Sequence, residues 1–280
     1  MASKPPSASE DPIHNLREAA DTTKVTEAAL RVFAERYPSL ELSRLTVVIA
    51  AYNEADNIGP VLEEIPAQIA GIGVSTLVID DGSADETAAI ADKYGAHVCQ
   101  LSVNRGHGVA LRLGYRIARE NGAAYIATLD ADGQWDPADL PAMVEILEAD
   151  KADFVIGSRQ LGKTENTDAF RNLGVRFFAK TISILTGTKL TDTSSGLRVM
   201  RSELTGVVRQ TQPQYQTSEL LIGSIFNGYR IAEVPTTMRQ RISGESKKGK
   251  NLAYGFRYAR VIFKTYLRER KNRTKVRPKP

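Results

Sequence analysis

The chain has 280 residues, 42% of them hydrophobic and 25% charged, with one cysteine and a formal net charge of +4. That length suits one domain with appendages and a core that stands without disulfides. No stretch approaches the ~18 uncharged apolar residues of a membrane-crossing helix. The polar first segment (residues 1–12) has no signal-peptide character. The lone Cys99 can form no internal bridge, so a reducing compartment and a buried, inert thiol are expected. The net charge conceals a polarity: residues 239–280 hold 15 Lys and Arg against 2 Asp and Glu, a net +13, whereas the preceding 238 residues hold 22 against 31, a net −9. Such a basic end suits an anionic partner, either a nucleic acid or an acidic membrane surface.

In chain order, residues 1–12 read as disordered and 14–36 as one or two helices ahead of the domain. Leu45–Ala50 is a short continuous apolar run, the pattern of a strand buried on both faces. A helix over Asn57–Ile65 follows, then a second strand, Thr76–Ile79. Ser83 and Glu86 form a capping box that opens a helix ending near Gly95. His97–Leu101, Tyr125–Leu129 and Phe154–Ile156 are further strands, separated by helices over Gly108–Asn121 and Pro137–Ala149. This alternation predicts an α/β fold with a mostly parallel central sheet flanked by helices. Ligands of such sheets lie at the carboxyl ends of strands, where Asp80-Asp81-Gly82-Ser83 and Asp130-Ala131-Asp132 fall. After residue 160 the pattern weakens. Phe170–Thr186 is amphipathic, with Phe170, Leu173, Phe177 and Ile182 interrupted by Arg176 and Lys180. Arg230–Met238 is a late strand. Asn251–Arg270 is a helix with Leu252, Phe256, Ala259, Phe263 and Tyr266 on one face and Arg257, Arg260, Lys264 and Arg268 in a stripe beside it. A basic stripe on a wide apolar face suits a helix lying on an anionic bilayer, and the alternative is an ordinary packed helix with a solvated stripe.

The run Thr128–Pro137 concentrates the chemistry. At a strand end, residues i and i+2 point the same way, so Asp130 and Asp132 can converge, and Gln134 adds a neutral oxygen. Hard oxygens with open positions suit Mg²⁺ or Mn²⁺ and leave room for phosphates. The structural alternative is a polar turn with Asp136 as N-cap and Pro137 at the first helical position. The three histidines, His14, His97 and His107, have no metal-site spacing.

Other runs fall in order around this one. They are Ile49-Ala-Ala-Tyr-Asn-Glu54, Val78-Ile-Asp-Asp-Gly-Ser-Ala-Asp-Glu-Thr87, Asn104-Arg-Gly-His-Gly-Val-Ala110, Gly157-Ser-Arg159, Asp192-Thr-Ser-Ser-Gly-Leu-Arg198 and Arg241-Ile-Ser-Gly-Glu-Ser-Lys247. From about Leu45 to Lys250 the chain resembles the family 2 glycosyltransferases with the GT-A fold. Within them it is most similar to polyprenyl-phosphate sugar synthases of the dolichyl-phosphate mannose synthase group. The resemblance implies three parts: an N-terminal extension (1–43), a GT-A catalytic domain (44–250) and an amphipathic basic helix and tail (251–280).

It also implies the site. Asp130, Asp132 and Gln134 match the metal ligands, for Mg²⁺ or Mn²⁺. Ala51, Tyr52, Glu54, Asp80, Asp81, Gly106, Asp130, Ala131 and Arg159 match donor-binding positions, with Asn104 and Gly108 helping the backbone approach the donor. Asp132, Arg198, Arg241 and Lys247 form the catalytic set, and Arg171, Ser195 and Glu219 are acceptor candidates. The activity implied is inverting transfer of a hexosyl group from a nucleotide sugar to a polyprenyl phosphate. A phosphate acceptor is already anionic and needs no strong base. A hydroxyl acceptor would need one, and Glu219 or Asp192 would be candidates. Departures from the pattern are Ala51 for a frequent Pro, Trp135 for a frequent His, and His107 for a common Lys. The segment Ser246–Arg260 resembles an actinobacterial branch, which leans the donor toward a UDP-sugar, with GDP-mannose as the alternative, and suggests a small integral membrane protein as partner. The place implied is the cytoplasmic, inner face of the cytoplasmic membrane. The rivals are a soluble transferase with a small hydroxyl acceptor and, from the basic tail alone, a nucleic-acid-binding protein. No nucleic acid is expected as the main partner.

Overall fold

The computed structural model describes residues 12–165, 169–212, 214–243 and 252–272, without the side chains of 12–20, 169–171 and 252–254. All seven residues of β1 (Leu45–Ala51) are buried, as its unbroken apolar run requires. It lies between β3 (Ile72–Asp80) and β5 (Tyr125–Asp130), parallel to both. Ala51 pairs with Asp80 and Ala50 with Asp130, so the three carboxyl ends are level. β4 (His97–Gln100) adds in parallel to the end of β3, and the two-residue β2 (Gln68–Ile69) runs antiparallel to its start. Beyond β5 come β7 (Arg198–Arg201), β6 (Phe154–Thr164) and β8 (Ile231–Met238). β6 and β8 are parallel, but β7 is antiparallel to both β5 and β6, so the sheet is mixed. The four residues of β7 carry two arginines and no alternation, which hides this strand from the hydrophobic pattern.

Alternate residues of β1 feed opposite faces. Val47 and Ile49 join Ile58, Leu62, Met143 and Leu147 on the side of α2 (Ala55–Glu63) and α5 (Leu140–Glu148). Val48 and Ala50 join a second apolar layer with Ala110, Leu113 and Ile117 of α4 (His107–Glu120). That layer also takes Ala29 and Phe33 of α1 (Pro12–Arg36), Ile182 of α6 (Ala169–Thr186), Leu204 of α7 (Leu204–Val207), Leu221 of α8 (Gln216–Phe226) and Ile262 of α9 (Leu252–Asn272). The first and last helices therefore share the core of the strands. α1 also shields the outer strand β4, where the Tyr37 hydroxyl accepts the Val98 N–H at 3.1 Å. Cys99 beneath it is 1% exposed, and burial pushes its thiol up to about 12, as befits an inert core residue. Residues 1–11, expected to lack order, lie outside the described residues.

Two local expectations change. Ser83 does not cap α3 (Thr87–Lys93): its hydroxyl is donated to Asp80, and the Asp85 carboxylate accepts the Thr87 N–H at 3.1 Å. On α9, the buried stripe is Tyr258, Val261, Ile262, Thr265 and Glu269. The outward apolar residues are Phe256, Phe263 and Leu267, and Arg268 turns inward to Glu219. The Asp136 cap is present, its carboxylate accepting the Ala138 N–H ahead of a short 3-10 turn at Pro137–Asp139. Among the described residues no helix is long and apolar enough to cross a membrane.

If α1 is integral to the core, Phe33→Ala should destabilise the protein by about 3–5 kcal/mol. Val32→Ala, at an exposed neighbouring position, should stay within ~0.5 kcal/mol. Urea unfolding of the two variants measures the contrast.

Candidate active site

The level carboxyl ends of β1, β3 and β5 bring acidic residues to one edge of the sheet, and each is held differently. Asp80 is fully buried; it accepts from the Ser83 N–H at 3.1 Å and from the Gln100 amide at 2.8 Å. Asp81, 2% exposed, accepts the backbone N–H groups of Arg105 and Gly106 at 2.7 and 2.8 Å. It thereby pins the loop that opens α4. Two glycines make this join feasible. Gly82 has φ +74°, and a Cβ there would stand 2.6–2.8 Å from the Val103 and Asn104 backbone. Gly106 has φ +95° and ψ 148°, a conformation close to glycine-only.

Burial pushes the Asp81 carboxyl up to about 6; neighbouring Asp80 adds to the rise, and the two backbone hydrogen bonds oppose it. Between 3.8 and about 6 the folded protein retains a proton on Asp81 that the unfolded chain has released. This carboxyl's contribution to stability is therefore fully present below 3.8 and lost as pH rises through about 6. Urea midpoints should carry this falling component across that window, and Asp81→Asn should flatten it.

Asp130 and Asp132 flank the turn after β5. The Trp135 indole N–H donates to Asp130 Oδ2 at 3.0 Å, and Gly196 packs so tightly against this pair that no side chain fits. Ala131 between them is buried. Asp132 is 6% exposed: Oδ1 accepts the Gln134 N–H at 3.1 Å, and Oδ2 accepts from Arg241 Nη2 at 2.8 Å. The other arm of Arg241 reaches Glu54, at the start of α2, at 3.2 Å. Asn57 donates to Glu54 at 2.6 Å and to the Ser243 carbonyl at 3.3 Å. The segment after β8 is laced down by Arg239 N–H to the Gln134 carbonyl (2.8 Å) and Ile242 N–H to the Asp132 carbonyl (3.3 Å). One guanidinium thus bridges carboxylates from two strand ends, and the strap that carries it lies over the 132–134 turn. The Ala51 carbonyl accepts the Asp81 N–H at 2.8 Å, and Tyr52 beside it is exposed.

Other predicted positions spend their polar groups on local protein partners. Arg159 is buried and donates from Nε and Nη2 to the two oxygens of Asp192 at 2.6 and 2.8 Å; further bonds go from Nη2 to the Ser194 hydroxyl at 2.7 Å and from Nη1 to the Met238 sulfur at 3.4 Å, and the group stacks over Trp135 at 5.5 Å. Arg198 is 3% exposed and donates to the carbonyls of Ser195, Thr193 and Thr217. Burial lowers its pKa from the ordinary arginine value. Both guanidiniums brace the 192–196 loop, because a buried cation must spend its donors locally. Ser195 closes a turn on Leu197. Glu219 is fully buried and accepts from the Thr211 and Gln212 N–H groups and from Arg268. Arg171 lies on α6 with its side chain outside the described residues, as is Lys247 altogether.

Trp135, marked in the sequence only as a departure from the family pattern, and Asn57, which no motif role singled out, both organise the site. A buried indole N–H normally finds an acceptor, so a tryptophan inside an acidic run was itself a signal. Asp192→Asn would strand the Arg159 charge and should destabilise the fold by about 3–5 kcal/mol in urea unfolding.

The acidic strand ends meet under a basic strap at the carboxyl edge of the sheet, which is where such α/β sheets take their ligands. The model of Glycosyl transferase family 2 matches residues 46–208, and the chain belongs to that family. It is a glycosyltransferase with a GT-A fold. It is 34% identical over 226 residues to the dolichyl-phosphate hexose transferase of Haloferax volcanii, covering 81% of this chain and 95% of that protein. It is 30% identical to the polyprenol monophosphomannose synthase of Mycolicibacterium smegmatis, over 75% of this chain and 83% of that one. Among solved structures it superposes on glucosyl-3-phosphoglycerate synthase from Mycobacterium tuberculosis, in complex with Mn²⁺, UDP and glucosyl-3-phosphoglycerate. There the TM-score is 0.59 at 21% identity, covering 80% of this chain and 79% of that one.

Proposed function

We propose that the protein moves a hexosyl group from a nucleotide sugar to a polyprenyl phosphate at a membrane surface, with inversion at the anomeric carbon. The observation that carries this is the fate of the two candidate bases. Asp192 and Glu219, the groups a hydroxyl acceptor would have called on, are both buried in ion pairs with Arg159 and Arg268. An acceptor phosphate brings its own negative charge and needs neither. The names of the relatives point the same way.

Asp130, Asp132 and Gln134 would hold a divalent cation, Mg²⁺ or Mn²⁺. Their donors are all oxygen, and Asp132 with Glu54 already accommodates a cation in the Arg241 guanidinium. When bound, the metal would supply positive charge to the leaving nucleoside diphosphate. Trp135 would fix the Asp130 carboxylate. Arg241 would stand within reach of the same phosphates, where a guanidinium fork is well suited. Asp81 would set the backbone of the loop at Gly106 against the donor, and Tyr52 and Glu54 would line its nucleoside end. Lys247, which follows Arg241 in the same sequence motif, would bind a phosphate of donor or acceptor. UDP-sugars are the favoured donors and GDP-mannose the alternative.

The test is a panel of labelled UDP- and GDP-sugars with polyprenyl phosphate and divalent metal, followed by lipid extraction. One donor should yield labelled lipid, and Asp132→Asn should cut the yield about 10²–10³-fold. No labelled lipid with any donor would overturn the proposal.

A further inference from the structure

The arginines around the acidic strand ends differ in what they hold. Arg241 is shared between Glu54 and Asp132, Arg159 is committed to Asp192, and Arg198 to three carbonyls. Arg105 is the exception among these four. It is half-buried in the loop ahead of α4, and its Nε is buried with no hydrogen-bond partner. Among the described residues its guanidinium has neither an ion pair nor a ring contact. Guanidinium donors taken out of water are normally spent on protein groups, so a set that is not spent is open to a ligand.

The backbone fixes where this cation stands. The Asp81 carboxylate accepts the Arg105 N–H at 2.7 Å and the Gly106 N–H at 2.8 Å. Burial raises the Asp81 carboxyl, and the Arg105 charge is near enough to oppose that rise. The Asp81 N–H is itself held by the Ala51 carbonyl at the end of β1. Tyr52, the next residue, is exposed, as is Val103, whose backbone packs on Gly82. Arg105, Tyr52 and Val103 therefore come from loops that meet at Asp81 and Gly82, beyond the end of β3. Asp130 and Asp132 follow β5, which lies on the other side of β1. Two strand spacings, about 10 Å, separate these ends. A nucleoside diphosphate whose phosphates lie by Asp132 and Arg241 thus brings its base, and not its phosphates, to Arg105.

We propose that Arg105 reads the nucleobase of the donor and selects bases that present a carbonyl oxygen. This rests on the nucleotide-sugar reading above. A guanidinium carries N–H donors and no acceptor. Uracil offers it the O4 oxygen and guanine offers O6 with N7, whereas cytosine and adenine place an amino donor at that position, donor against donor. The neighbouring acids favour a neutral partner as well. A phosphate drawn to Arg105 would lie against buried Asp80 and Asp81, and a carbonyl meets the cation without that repulsion.

The experiment is calorimetric titration of the full chain with UDP, GDP, CDP and ADP in the presence of Mg²⁺. It is repeated with Arg105→Met, which keeps an unbranched stem and removes the donors, and with Arg105→Lys, which keeps the charge and loses the fork. The wild type should bind UDP or GDP about tenfold or more tightly than CDP and ADP. Arg105→Met should erase most of that ratio by weakening the carbonyl-bearing nucleotides alone, and Arg105→Lys should fall between. Circular dichroism should be unchanged, because Asp81 holds the loop through backbone N–H groups. Equal weakening of all four diphosphates would assign Arg105 to the phosphates and overturn its reading of the base. A wild type that does not distinguish the four would overturn it too. Selectivity that survives Arg105→Met would sink this inference alone, whereas a wild type that binds no nucleoside diphosphate would take the proposed function down with it.

Discussion

Buried carboxylates govern this structure. A carboxylate removed from water must be met by donors or cations, and Glu54, Asp80, Asp81, Asp132 and Asp192 are all buried. Each is met by a different device: hydroxyl and amide groups for Asp80, backbone N–H groups for Asp81, a full arginine fork for Asp192, and a shared arginine for Glu54 and Asp132. Satisfying these charges is what ties the loops at 82–85, 104–106 and 192–196 and the strap at 239–243 to the strands.

The same constraint sorts the residues by chemistry. Charges that are fully matched, such as Arg159 with Asp192, are structural braces. The Asp132–Arg241–Glu54 bridge is of another kind, because its cation sits on a segment that only crosses the turn after β5. It places a positive group over the turn after β5, so the negative edge is balanced by a partner from beyond a separate strand end. Trp135 belongs with this arrangement, since its indole both orients Asp130 and stacks under Arg159.

The terminal helices extend the scaffold in two directions. α1 fills a core position with Phe33 and covers the outer strand, which would otherwise expose an edge. α9 is fastened through Tyr258 and Arg268 to the start of α8. One face of α9 therefore belongs to the core, and the other, beside α6, belongs to the surface.

The sequence alone determined the alternating parallel half of the sheet, because strands buried on both faces need unbroken apolar runs such as Leu45–Ala50. It also placed Asp80, Asp81, Asp130 and Asp132 at strand ends, since i, i+2 spacing and the end of an apolar run are local facts. The family was legible because several motifs kept their order. What only the tertiary structure decided was pairing. Nothing local says that Arg159 is consumed by Asp192, that Arg198 braces carbonyls, that Glu219 belongs to Arg268, or that Arg241 crosses from β8 to the ends of β1 and β5. These are contacts between distant segments, and a guanidinium's role depends on which partner the fold brings within 3 Å. The antiparallel β7 stayed hidden for the same reason: it exists only once separate segments are packed side by side.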